Sequence, residues 1–222
     1  MKKKLKISLL LNIIIFVLVV VASVIMFTGF QFMHGVEPIF EERRLLMLKF
    51  FTVQSNIFAG LIALIYAYKQ IRILRGKERV ISKRLSVLQL MATTAVTITF
   101  LVVFLYLGPI SDGGIPVMLM NSNLFYHFII PVLCIINFIF FEKSNKLKFK
   151  YTFMGVIPTL LYGTYYVGNI LIHMENGKVS PVYDWYWFVQ NGVWTAVIVM
   201  PMMLLGSYMI SLVLWGLNRK GK

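Results

Sequence analysis

Six long apolar runs alternate along the chain with short segments that hold nearly all of its charged residues. A helix needs about 20 consecutive apolar residues to cross the hydrocarbon core of a bilayer. The runs meet that length and predict spans over residues 7–29, 45–68, 86–108, 121–142, 151–172 and 188–215. The expected fold is therefore all-α: a polytopic membrane protein whose residues 1–222 form a single bundle of six transmembrane helices. The opening MKKKLK followed by an apolar run imitates a secretory signal. The apolar region of a signal peptide, however, is only about 7–15 residues long. Ile7–Phe27 is interrupted only by Ser8, Asn12 and Ser23, which predicts a retained first span.

Polar side chains inside the runs are the exceptions that carry information, because a polar group in hydrocarbon is costly unless it faces a bundle interior or a cavity. The second run contains FFTVQSNIFAG, Phe50–Gly60, with Thr52, Gln54, Ser55 and Asn56 polar in five positions. Residues four apart share a helix face, so Thr52 and Asn56 point the same way with Ser55 beside them. The fourth run opens NSNLFYHFIIP, where Asn123, His127 and Pro131 recur every four residues. Counted from the predicted span ends at 1.5 Å per residue, Thr52 lies about 10 Å and His127 about 9 Å deep. The fifth run carries Pro158, Tyr162, Tyr165, Tyr166 and Asn169, and the sixth begins with Gln190, Asn191 and Thr195. Runs two, four, five and six thus place polar groups in the same half, whereas runs one and three do not. This convergence predicts a polar chamber there. Gln89, Thr93, Thr94, Thr97 and Thr99 of the third run read as structural, and Asn12 of the first as without chemistry.

Charge fixes the expected orientation. The net charge is +14, but it is not spread evenly. The segments on the side of the N-terminus hold most of the lysines and arginines, about +16 in sum, and the opposite side sums to about −2. An excess of Lys and Arg in short loops marks the cytoplasmic face, so both termini are expected in the cytoplasm of a cell-membrane protein. This basic face suits anionic lipid headgroups, and no soluble module is present to bind nucleic acid.

Thr52 and His127 form the one nucleophile–base pair of matched depth. A hydroxyl becomes a competent nucleophile when a neutral imidazole can take its proton. Asn56, Ser55, Asn123, Tyr162, Tyr166 and Asn191 are the candidate substrate-binding or oxyanion donors. No Asp or Glu falls in this half of any run, which leaves loop residue Asp184 as the nearest carboxylate to orient the histidine. The single cysteine, Cys134, excludes an internal disulfide and a CxxC metal pair. Ester hydrolysis by such a pair needs no metal and no cofactor.

FFTVQSN, the histidine of NLFYHFIIP and the spacing Pro158–Tyr162–Tyr166 resemble the androgen-induced protein family. That family includes the androgen-dependent regulator of tissue factor pathway inhibitor and many bacterial six-span relatives. The resemblance runs over nearly the whole chain, as topology and scattered motifs. It implies an intramembrane threonine hydrolase that cleaves fatty acid esters of hydroxy fatty acids, with the nucleophile at Thr52 and the catalytic histidine at His127. Bacterial relatives commonly carry an acidic residue and Trp soon after the histidine stretch, where this chain has Asn137 and Phe138. They also tend to have a Tyr-Pro-rich segment before the last span, against Ser180-Pro181-Val182-Tyr183 here. The competing expectation is a lipid or small-molecule transporter, or a sensor, that uses the same chamber as a binding site without catalysis. The absence of an internal repeat and the off-centre polarity weigh against transport.

Overall fold

The computed structural model describes residues 2–34, 40, 42–142, 147–189 and 191–220. Among them the chain is helical, with one isolated bridge between Glu175 and Lys178 and no strand. Six helices are long and apolar enough to cross a membrane: α1 (Lys2–Thr28), α2 (Phe51–Leu74), α3 (Lys83–Ile110), α4 (Ser122–Phe141), α5 (Phe149–Ile172) and α6 (Val193–Arg219). Up-and-down connections bring both ends of the chain to one end of the bundle. The loops before α2, before α4 and before α6 lie at the other end.

In lipid, helices are held together by close packing and interhelical hydrogen bonds, since lipid tails are as apolar as the side chains they replace. The pairing of α1 with α2 shows the packing part. A Cβ on Gly60 would come within 2.9 Å of Val19, so the missing side chain is what lets the two backbones approach. Ile15, Val19, Ala22 and Met26 bury one stripe of α1 against α2 and α4, while Leu10, Val17 and Val24 stay exposed to the surroundings.

Proline reshapes two of the helices. Pro109 and Pro131 have no N–H to give, and each follows a turn widened to i→i+5 bonding. In α3 that turn is Val103–Leu107, closed by the Gly108 N–H to the Val103 carbonyl. In α4 it is Phe125–Ile129, closed by the Ile130 N–H to the Phe125 carbonyl, and it contains His127. A side chain at residue 108 would stand 2.8 Å from the Val103 carbonyl oxygen and 2.7 Å from Ile115, which explains the glycine there.

The second span begins later than its hydropathy suggests. Arg44–Lys49 form a 3₁₀ turn, Phe50 is extended at φ −83° and ψ 132°, and α2 starts at Phe51. Leu45 and Leu46 are 72% and 66% exposed, so this part of the apolar run lies outside the bundle. Lys49 pairs with Glu42 at 2.7 Å just before the helix. Thr52 is therefore in the first turn of α2 and not a full two turns below its end. Likewise, Gly192 at φ +112° stops the chain from continuing into α6 until Val193.

Candidate functional site

At the end away from the termini, α2, α3, α5 and α6 enclose a chamber that is closed above by the loop before α6. Most of its wall is apolar, from Ile98, Val102, Leu107, Val167 and Met200 among others, and the polar groups on it are Thr52, Thr99, Thr159, Tyr162, Tyr166 and Tyr186. Its volume is about 60 Å³, room for a few waters. An acyl chain enters only if side chains move. Met200 and Met203 are the flexible part of the wall, with Met200 lying over Gly163, where a Cβ would be 2.3 Å from its sulfur. Beside the chamber, a crevice between α2, α3 and α5 opens toward lipid and includes Ser55, Phe58, Leu161 and Tyr165. The rings of Phe51 and Tyr162, 5.0 Å apart, line both spaces.

Thr52 sits where the backbone of α2 has donors to spare, since the first four N–H groups of a helix lack intrahelical partners. The Phe51 N–H donates to the Tyr186 hydroxyl oxygen at 2.8 Å. That phenol also interacts with the Thr52 hydroxyl and the Thr52 N–H, and with the Tyr162 hydroxyl. The Thr52 carbonyl accepts from Ser55 Oγ at 3.1 Å and from Asn56 Nδ2 at 2.8 Å. Ser55 Oγ also reaches Thr99 Oγ1 at 3.2 Å and so ties α2 to α3.

Asn56 is fully buried and works across helices: the same Nδ2 that holds the Thr52 carbonyl donates to the Tyr126 carbonyl of α4 at 3.1 Å. Its Oδ1 has no partner among the described residues. The neighbour of Tyr126 is His127, 1% exposed, with Nδ1 2.7 Å from the Met118 carbonyl. A carbonyl can only accept, so Nδ1 carries the proton, and the neutral ring keeps its lone pair on Nε2. That is the tautomer a general base requires. The orienting group is thus the Met118 backbone, not Asp184 as the sequence suggested. Asp184 has both oxygens committed elsewhere: Oδ1 to the Tyr166 hydroxyl and the Phe188 N–H, Oδ2 to the Val189 N–H. Burial raises the Asp184 carboxyl above the ordinary aspartate value against the pull of those three donors.

The chamber wall differs from expectation in one respect. None of its described lining residues comes from α4, so His127 and the buried Asn123 are not part of the wall, while α3 supplies a face that looked purely apolar in sequence. Tyr162 and Tyr166 do line it. Asn191 is exposed in the loop, its carbonyl accepting from Trp194 Nε1 at 3.0 Å, and Gln190 lies outside the described residues. Tyr186 was missed, since it stands in an aromatic loop, VYDWYWF, that reads as an interfacial belt.

A second polar cluster lies near the termini and was also missed. Asn12, read as inert, is fully buried. Its Nδ2 donates to Gln70 Oε1 at 3.1 Å and to Glu142 Oε1 at 3.4 Å, and Asn137 Nδ2 reaches Asn12 Oδ1 and Glu142 Oε1, each at 3.0 Å. Gln70 Nε2 closes the set on Ser8 at 2.8 Å. Spans one, two and four are therefore pinned together by amides around one buried carboxyl. Interhelical hydrogen bonds in membranes are worth about 0.6–1.7 kcal/mol each. Asn137→Leu removes two, and its thermal midpoint in detergent is expected to fall by about 2–4 °C. An unchanged midpoint would contradict a stabilising role for the cluster.

Comparison of the chain with family models, with curated proteins and with solved structures finds no match.

Proposed function

We propose that the protein is an intramembrane hydrolase of lipid esters, of the fatty acid ester of hydroxy fatty acid type, with Thr52 as nucleophile and His127 as base. It sits in the cell membrane with both termini cytoplasmic and the chamber in the outer leaflet. The orientation rests on the concentration of Lys and Arg at the terminal end of the bundle. One observation carries the reading: a single amide nitrogen, Asn56 Nδ2, bridges the carbonyl of Thr52 to the carbonyl next to His127. The proposed nucleophile and base therefore stand on backbones locked to each other, and the histidine tautomer leaves Nε2 free to accept a proton. The crevice toward lipid supports a substrate that arrives from the bilayer. The FFTVQSN and NLFYHFIIP motifs support the same chemistry by resemblance.

In the proposed reaction, Thr52 Oγ bonds to the ester carbonyl carbon while its proton passes to His127 Nε2. The carbonyl electron pair moves onto oxygen and then returns, breaking the bond to the alcohol, which leaves with the proton from His127. Water repeats the sequence on the acyl-enzyme and releases the acid. Every step is redox-neutral and balanced by the two side chains.

A second reading has its own support. Because His127 is not on the chamber wall, the chamber could serve as a binding site for a lipid or small molecule with no chemistry. The two are separated by assaying purified protein on p-nitrophenyl decanoate and on branched fatty acid esters. Turnover abolished by both Thr52→Ala and His127→Ala supports the hydrolase, and saturable binding without turnover supports the alternative.

A further inference from the structure

Tyr186 reaches the site from the loop before α6, yet it is only 6% exposed and its oxygen meets the first turn of α2. Its ring is fixed by Phe50, Tyr166 and Phe188 at centroid distances of 6.2, 5.8 and 5.5 Å. The Phe51 N–H occupies one lone pair of the hydroxyl oxygen. Tyr162 gives its own proton to the Lys49 carbonyl at 2.7 Å and its oxygen accepts from Trp185 Nε1 at 3.0 Å. Tyr186 is thus the phenol on this wall that is held by a backbone N–H beside Thr52, and burial pushes its acidity up to about 12, so the hydroxyl stays protonated near neutrality.

Attack by Thr52 creates negative charge on the carbonyl oxygen one bond from the carbon that Oγ has joined. A donor already beside Oγ, in a largely apolar chamber, is placed for that charge, and fixed donors of this kind are often the largest electrostatic contribution to such reactions. The positive end of α2 adds to the same effect. We propose that Tyr186 is the oxyanion donor of this site: its O–H hydrogen-bonds the tetrahedral intermediate while the Phe51 N–H holds its oxygen in place. No covalent bond to Tyr186 forms, and its proton stays on the phenol throughout. The proposal rests on the hydrolase reading and adds a catalytic residue to it.

The test compares the parent with Tyr186→Phe, Thr52→Ala and Tyr162→Phe on p-nitrophenyl decanoate in detergent micelles. Loss of one oxyanion donor is expected to lower kcat about 100-fold in Tyr186→Phe with KM within about twofold, and Tyr162→Phe is expected to stay within about threefold of the parent. If Thr52→Ala is inactive and Tyr186→Phe keeps the parental kcat, this role is overturned and the hydrolase reading stands. If Thr52→Ala retains turnover, both fall. Should Tyr186→Phe fail to accumulate as folded protein, 3-fluorotyrosine at residue 186 keeps ring and hydroxyl and makes the phenol more acidic. The alkaline decline of kcat then moves to lower pH, and an unshifted profile overturns the role.

Discussion

Thr52→Ala is expected to lower ester turnover about a thousandfold or more while leaving the fold intact. Removing the nucleophile of a hydrolase leaves only binding and electrostatic contributions, and losses of that size or greater are the rule when one member of such a unit is deleted. The structural cost is small because the bonds around Thr52 that join helices run through its carbonyl, which alanine retains. Thermal midpoints of parent and variant should therefore agree while kcat collapses. Equal turnover in the two would remove Thr52 from the mechanism.

Asp184→Ala is expected to act through structure and to be severe. The carboxylate collects the Tyr166 hydroxyl and the N–H groups of Phe188 and Val189, and so fastens the loop before α6 onto α5. Each buried donor left without a partner costs about 1–3 kcal/mol. Even with water reaching some of them, a total of about 3 kcal/mol corresponds to roughly a hundredfold rise in the open loop. Tyr186 lies within the fastened segment, so opening would also draw its oxygen away from the Phe51 N–H. Faster chymotryptic cleavage between residues 173 and 192, together with lost turnover, is the expected outcome. Unchanged cleavage would mean that aromatic packing alone holds the loop.

The six helices were legible because length and apolarity suffice to define a span, and lipid leaves a chain few other options. The start of α2 was not. Leu45–Leu48 are as apolar as any core segment, yet they form a 3₁₀ turn beside Lys49 and its partner Glu42, and hydropathy does not distinguish a residue in the bundle from one lying against it. That slip is why the matched depth of Thr52 and His127 does not hold as a count from the helix ends. What joins their neighbourhoods is Asn56, a residue the sequence did single out, acting across 70 positions onto a backbone carbonyl that carries no sequence signal. The same holds for the Met118 carbonyl that orients His127. Asn12 and Glu142, 130 positions apart, became visible as partners only once α1 and α4 were packed together.

The central claim is that the Thr52 hydroxyl is a reactive nucleophile in a membrane-embedded chamber. The most direct test treats the purified protein with a fluorophosphonate carrying a long alkyl chain and locates the adduct by peptide mass spectrometry. The account predicts one adduct, on the peptide containing Thr52, formed by the parent and absent from both Thr52→Ala and His127→Ala. An unmodified Thr52 in protein that turns over esters, or an adduct that survives in His127→Ala at the parental rate, would contradict it.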